Sequence, residues 1–163
     1  DISNNLRVTC RNSKLLIIGA GGASRGILEP LLALSPGSID IANRTHSKAV
    51  ELVSLFQHLG KIRALSFSEL SIEYDVVVNA SSSSLQDDIP AIPEHCLTKS
   101  ELAYDLMYAS TATPFMAFAA QAGAQQQSDG LGMLVEQAAE AFSIWHGYKP
   151  ETQSVIASLR SLH

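Results

Sequence analysis

Apolar and polar positions alternate along the chain between a strand-like and a helix-like period. Lys14 to Ile18 (KLLII) is a continuous apolar run ending on glycine, the pattern of a strand covered on both faces of a parallel sheet. Gly22 to Leu34 then reads as a helix. Ser38 to Ala42 (SIDIA) predicts a second strand, and Ser47 to Leu59 a helix in which Val50, Leu52, Val53 and Phe56 recur at helical spacing. Ile62 to Leu65 predicts a short third strand. Tyr74 to Asn79 (YDVVVN), rich in β-branched residues and bounded by the serines Ser81 to Ser84, predicts a fourth. Leu102 to Asp105 (LAYD) and Ala124 to Gln127 complete the strands, with helices over Pro114 to Gln121, Leu131 to Trp145 and Glu151 to Leu162. Strands alternating with helices imply right-handed crossovers, so the expected class is α/β, a doubly wound, mostly parallel sheet with helices on both faces.

The first strand runs into GAGGASRG, Gly19 to Gly26, and directly into a helix. In that setting Gly19 permits a tight turn, Gly21 lets backbone approach a pyrophosphate, and the amides opening the helix face the anion. The match to GxGxxG is imperfect, because Ser24 holds the third glycine position. Strand, glycine turn and helix together make the fold Rossmann-like and the turn a dinucleotide site. The end of the second strand meets the adenosine ribose. An acid there would accept from a 2′-hydroxyl and repel a 2′-phosphate. The chain instead reads NRTHSK, Asn43 to Lys48. Arg44 offers a guanidinium fork, Asn43 and Thr45 offer hydrogen bonds, and Lys48 adds a point charge. Asp40 lies too early in the strand to be the ribose acid. NADP is therefore expected over NAD.

On the helix from Leu131 to Trp145, residues Leu131, Leu134, Val135, Ala138, Phe142 and Trp145 fall on one stripe, read as the core face. Met133, Gln137 and Ile144 gather on the other side, which suggests a ligand, a neighbouring domain or a subunit. Asp129-Gly130-Leu131-Gly132 precedes them, either as a helix entry passing close to a nicotinamide ring or as an ordinary start capped by Asp129.

Composition narrows the classes. The 163 residues are 46% hydrophobic and 17% charged, as in one ordinary globular domain. A net charge of −5 with 11 lysines and arginines argues against a nucleic-acid surface. No apolar run approaches the ~20 residues of a membrane span, and Asp1 to Asn12 is too polar for a secretory signal, so a soluble, cytoplasmic protein is expected. Cys10 and Cys96 have no metal-ligand spacing and read as inert thiols. The first residue is Asp rather than Met, which suggests a piece of a longer protein.

Taken in order, GAGGASRG, NRTHSK, VVNASSS (Val77 to Ser83), DIPAIP (Asp88 to Pro93), YDLMY (Tyr104 to Tyr108), TPF (Thr113 to Phe115) and DGLGMLVEQAAEAF (Asp129 to Phe142) resemble the C-terminal, NADP-binding domain of the shikimate dehydrogenases. The resemblance runs from about Lys14 to the end. It implies reversible NADPH-linked reduction of 3-dehydroshikimate to shikimate, on the chorismate route to aromatic amino acids. Carried over by position, it implies that Gly19, Ala20, Gly21, Gly22 and Ala23 hold the pyrophosphate. Asn43, Arg44, Thr45, His46, Ser47 and Lys48 would hold the 2′-phosphate. Leu106, Gly130 and Met133 would lie on the nicotinamide side, and Tyr108 and Gln137 would reach shikimate. Three domain pieces follow: 1–13 a linker from a preceding domain, 14–148 the NADP-binding unit, and 149–163 a helix packing toward that preceding domain.

Several positions depart from the family pattern. Lys48 stands where many members carry Arg, a weaker fork for phosphate. Leu106 replaces Met, and Ser81 and Ser84 replace Thr and Gly. The family's catalytic Lys–Asp pair belongs to an N-terminal domain expected before Asp1, so the resemblance implies no catalytic residue here and no turnover by this chain alone. Lys14, Lys61, Lys99 and Lys149 sit in no motif that would replace it. Asp105 reads as a strand-end cap, and His95 and His146 as surface or core-edge residues. No metal site is expected. Two alternatives stay open: a stand-alone NADP-sensing module, and the quinate/shikimate branch, against which Arg44 argues. Val155, Ile156 and Leu159 on the last helix would leave an apolar patch able to promote a homodimer.

Overall fold

The computed structural model describes residues 1–81 and 89–161. Ser82, Ser83, Ser84, Asp88 and Leu162, singled out above, lie outside them. Six strands form one parallel sheet in the order β3-β2-β1-β4-β5-β6: β1 Lys14–Ile18, β2 Ser38–Ala42, β3 Ile62–Leu65, β4 Val76–Asn79, β5 Leu102–Asp105 and β6 Gln126–Ser128. The helices are α1 Gly22–Ala33, α2 His46–Phe56, α3 Pro114–Ala122, α4 Leu131–His146 and α5 Gln153–Ser161. The strand order reverses between β1 and β4, so ligands of this architecture meet the sheet where those two strands end.

Alternate residues of each strand point to opposite faces, and both faces are apolar. Leu15, Ile17, Ile39, Ile41, Val76, Val78, Leu102 and Tyr104 pack against Leu28, Leu31 and Leu32 of α1 and Ala49 and Leu52 of α2. Leu16, Ile18, Val77 and Ala103 pack against Phe115 and Ala119 of α3, with Cys96 and Leu97. A charge interrupts the second layer. Asp40 of β2 is 0% exposed, yet its carboxylate accepts from Nε and Nη2 of Arg63, both at 2.8 Å, and from the Tyr74 hydroxyl at 2.8 Å. Its place mid-strand, inside the sheet, matches the reading that it is no ribose acid.

Strands β1, β2, β3 and β5 have the expected bounds. The fourth begins later, at Val76, and the sixth shifts to Gln126–Ser128, because Gly123 caps α3 at φ +100° and Ala124 N–H still bonds Ala119 O at 3.0 Å. The largest correction concerns α4. Its buried residues are Leu131, Gly132, Val135 and Ala139, whereas Leu134, Ala138, Phe142 and Trp145 of the expected core stripe are exposed. At 16 residues α4 is about 24 Å long, while the four residues of β5 span about 13 Å, so its second half overhangs the sheet. There Phe142 stacks on His146 at 4.2 Å, and Trp145 is 84% exposed.

Residues 1–13, expected as a linker, place Val8 and Cys10 in the core and Ile2 and Leu6 against it. Asn5 donates to Glu136 of α4 at 3.1 Å, and the Tyr104 hydroxyl donates to Asp1 at 2.5 Å. On α5, Arg160 pairs with Asp129 at 2.9 Å, and the preceding Thr152 donates to Glu136 at 2.8 Å. Val155 is exposed, and Ile156 and Leu159 are half-buried. Among the described residues no helix is long and apolar enough to cross a membrane.

Candidate functional site

Because every strand runs the same way, the segments after β1, β2, β4, β5 and β6 emerge along one edge of the sheet. All the expected site residues outside α4 stand there.

The glycine turn is built by three features. Gly19 adopts φ +109°, and a Cβ on it would lie 2.9 Å from Ala80 O, so the turn at the β1–β4 switch point admits no side chain. Above Gly21 and Gly22 a Cβ would meet nothing within 4 Å, which leaves open space in front of the helix. Gly21 caps α1 and, as a glycine, brings no side chain of its own to the first amides. Ser24, the mismatch to the motif, is fully buried and donates to Gly19 O at 2.8 Å. That bond ties the helix back to the turn, a role that the glycine pattern gave no reason to expect.

After β2, Asn43 donates one carboxamide N–H to Thr45 O at 2.8 Å, which braces the turn. Arg44, Thr45, His46, Ser47 and Lys48 are exposed, and Thr45 caps α2 without a side-chain bond. Among the described residues no ion pair engages Arg44 or Lys48. The strand end holds no acid. Glu69 is held below the usual carboxylate range by the hydroxyl and amide of Ser66 and, more weakly, by His46 of this turn.

The end of β4 and the turns after β5 and β6 are joined to one another. Asp105, 0% exposed, accepts from Met107 N–H at 3.1 Å, Asn79 Nδ2 at 3.2 Å and the Thr113 hydroxyl at 2.7 Å. Asn79 Oδ1 in turn accepts from the hydroxyl and amide of Ser81, at 2.6 and 3.2 Å. Thr113 Oγ1 accepts from Met116 N–H at 3.2 Å and so starts α3. Gly130 N–H donates to Met107 O at 3.0 Å, and a Cβ on Gly130 would stand 2.2 Å from Leu106 O. Only glycine lets the β5 and β6 turns touch. Asp129 accepts from Leu131 N–H at 3.3 Å from one residue before the helix cap, which is Gly130 and not the Asp129 that the sequence offered as one option.

Leu106, Met133 and Gln137 line one cavity of about 280 Å³, with Ile27 and Pro30 of α1 and Leu34 just past its end also in the lining. Met133 and Gln137 are thus brought together as their shared helix side suggested, whereas Ile144 is 76% exposed and lines no part of it. Tyr108 is exposed on the β5 turn. Lys99 pairs with Glu73 at 2.9 Å, and Lys149 with Glu136 at 3.1 Å and Glu140 at 3.4 Å. His95 and His146 are exposed. Both cysteines are buried. Burial pushes Cys96 up to about 11 and raises Cys10, with a smaller push from Glu101, so both thiols are poor nucleophiles. No group of three or more metal-ligating side chains occurs among the described residues.

Residues 2–100 match the family model for Shikimate / quinate 5-dehydrogenase, and residues 130–160 that for the Shikimate 5′-dehydrogenase C-terminal domain. A protein of Psychromonas ingrahamii named shikimate dehydrogenase (NADP(+)) is 49% identical over 98% of this chain and 58% of its own length. One of the same name from Herminiimonas arsenicoxydans is 47% identical over 99% of this chain and 59% of its own. The crystal structure of an Ael1 enzyme from Pseudomonas putida superposes with a TM-score of 0.94 at 44% identity, over 98% of this chain and 59% of that one. The chain therefore spans under two thirds of the length of these relatives.

Proposed function

Because the chain belongs to the shikimate / quinate 5-dehydrogenase family, we propose that it is the NADP(H)-binding unit of an enzyme that interconverts 3-dehydroshikimate and shikimate. The observation that carries the reading is the pairing of an open glycine turn ahead of α1 with an acid-free, cationic turn at the end of β2. The first suits a pyrophosphate, because it presents helix amides with room in front of them. The second suits a 2′-phosphate, because Arg44 and Lys48 are exposed and the brace from Asn43 fixes the backbone between them and the strand. Relatives named for NADP(+) support the same choice.

In this reading Gly19 to Ala23 take the pyrophosphate and Asn43, Arg44, Thr45, His46, Ser47 and Lys48 the 2′-phosphate. Leu106, Gly130 and Met133 form the apolar wall for the nicotinamide, and Tyr108 and Gln137 reach the substrate. The bound dinucleotide supplies hydride chemistry. The residues here hold and orient it, and the Gly130 contact with Leu106 keeps the wall close-packed. The proton for the substrate oxygen and most substrate contacts are assigned to the part of the relatives' length that this chain does not span.

Arg44→Ala tests the reading. A charge-assisted contact to phosphate is worth roughly 1.5–3 kcal/mol, so NADPH affinity is expected to fall about tenfold or more while NADH affinity stays as it was. An unchanged ratio of the two affinities refutes the assignment.

A further inference from the structure

The β5 turn carries two proposed site residues, Leu106 and Tyr108, and a buried carboxylate engages its backbone. Asp105 has no exposed surface, and it accepts at least three hydrogen bonds from three different segments: Met107 N–H on its own turn, Asn79 at the end of β4, and Thr113 at the start of α3. A carboxylate is costly to bury, and the donors that meet it here come from the segments bordering the crevice. The chain of contacts then continues outward. Met107 O accepts from Gly130 N–H at 3.0 Å, Gly130 abuts Leu106 O, and Asp129 beside it is held by Arg160 of α5 at 2.9 Å. The bond from Met107 N–H to Asp105 and the bond to Met107 O from Gly130 engage the two ends of one residue. The position of Gly130 is therefore set through Asp105.

We propose that Asp105 is a positioning residue: its buried carboxylate ties the end of β4 and the turns after β5 and β6 into one platform against which the nicotinamide half of the dinucleotide packs. The proposal rests on the NADP(H) reading above. It requires that removing the carboxylate loosen the nicotinamide end while leaving the adenosine end, built from the turns after β1 and β2, as it was. A merely global destabilisation would not divide the ligand in that way.

The test compares NADPH with adenosine 2′,5′-bisphosphate, which keeps the adenosine and 2′-phosphate and lacks the nicotinamide. Both are titrated into the chain and into Asp105→Ala and Asp105→Asn, with nicotinamide fluorescence followed for NADPH. Asp105→Ala is expected to weaken NADPH about tenfold and to abolish the fluorescence change on binding, with the bisphosphate affinity held within about twofold. Asp105→Asn keeps one acceptor oxygen but strands the Thr113 hydroxyl proton, so a smaller loss of about threefold is expected, again confined to NADPH. If Asp105→Ala does not fold, the Asn variant decides. Equal weakening of both ligands, or no weakening of either, overturns the proposal. A wild-type chain that binds neither ligand overturns instead the NADP(H) reading beneath it.

Discussion

Restoring the glycine that the GxGxxG pattern asks for should weaken this protein. Ser24 is fully buried, and its hydroxyl donates to Gly19 O at 2.8 Å, joining the first turn of α1 to the one residue whose φ of +109° makes the turn possible. Ser24→Ala removes the donor and leaves a buried acceptor short of a partner, a loss of about 1–3 kcal/mol. Ser24→Gly adds the backbone entropy of a glycine in a helix, a few tenths to about 0.5 kcal/mol beyond serine. For a domain of this size each kcal/mol lowers Tm by about 2–4 °C, so Ser24→Gly should melt roughly 3–14 °C below the parent, and below Ser24→Ala. Thermal unfolding followed by circular dichroism measures this. NADPH affinity should fall with it, because the turn loses its brace. A Ser24→Gly protein as stable as the parent would show that the turn is held by something other than this hydroxyl.

Two further outcomes follow from buried polar groups. Arg63→Ala leaves the Asp40 carboxylate inside the sheet with the Tyr74 hydroxyl, and should cost about 2 kcal/mol. This is less than the ~3–5 kcal/mol of a fully buried pair, because the Arg63 side chain is 61% exposed and solvent already screens it. Urea unfolding of Arg63→Ala and of Arg63→Ala with Asp40→Asn checks it, and the double variant should recover part of the loss. Burial raises the phenols of Tyr74 and Tyr104 above their ordinary value, and at Tyr74 the bond donated to Asp40 adds to the rise. Their contribution is complete at neutral pH. Above about pH 10 the unfolded chain gives up protons that the folded chain keeps, so stability should fall by up to ~1.4 kcal/mol per pH unit for each. Denaturant titrations between pH 9 and 11 would show no such slope if the two phenols ionise freely in the fold.

Much of the architecture was legible because both sheet faces are buried. Strands such as KLLII and VVVN carry continuous apolar runs that a covered parallel sheet accommodates, and the glycine turn falls where such a sheet reverses its order. The sixth strand was displaced because QQS sits at the sheet edge and has little apolar pattern to fix its bounds. The face of α4 was misread because helical periodicity records spacing and not what lies underneath. Beyond Ala139 the helix runs past the sheet, and Phe142 and Trp145 find no core to enter.

At the site, residue types conveyed charge and space, which is why the cationic turn after β2 and the open turn ahead of α1 stood out. They did not convey connection. Asp105 read as a cap and is one, through Met107 N–H, but its bonds to Asn79 and Thr113 join segments distant in sequence and carry no local signature. Ser24 looked like a flaw in a motif for the same reason. A polar residue closing the apolar run VVVN, at Asn79, was the one available hint that the strand ends held a buried network.

Titration of NADPH and NADH into the 163-residue chain, side by side in one buffer, tests the central claim most directly. The account predicts saturable binding of both with NADPH tighter by about tenfold or more, a gap that narrows as salt screens Arg44 and Lys48. Equal affinities for the two, or tighter binding of NADH, would contradict it.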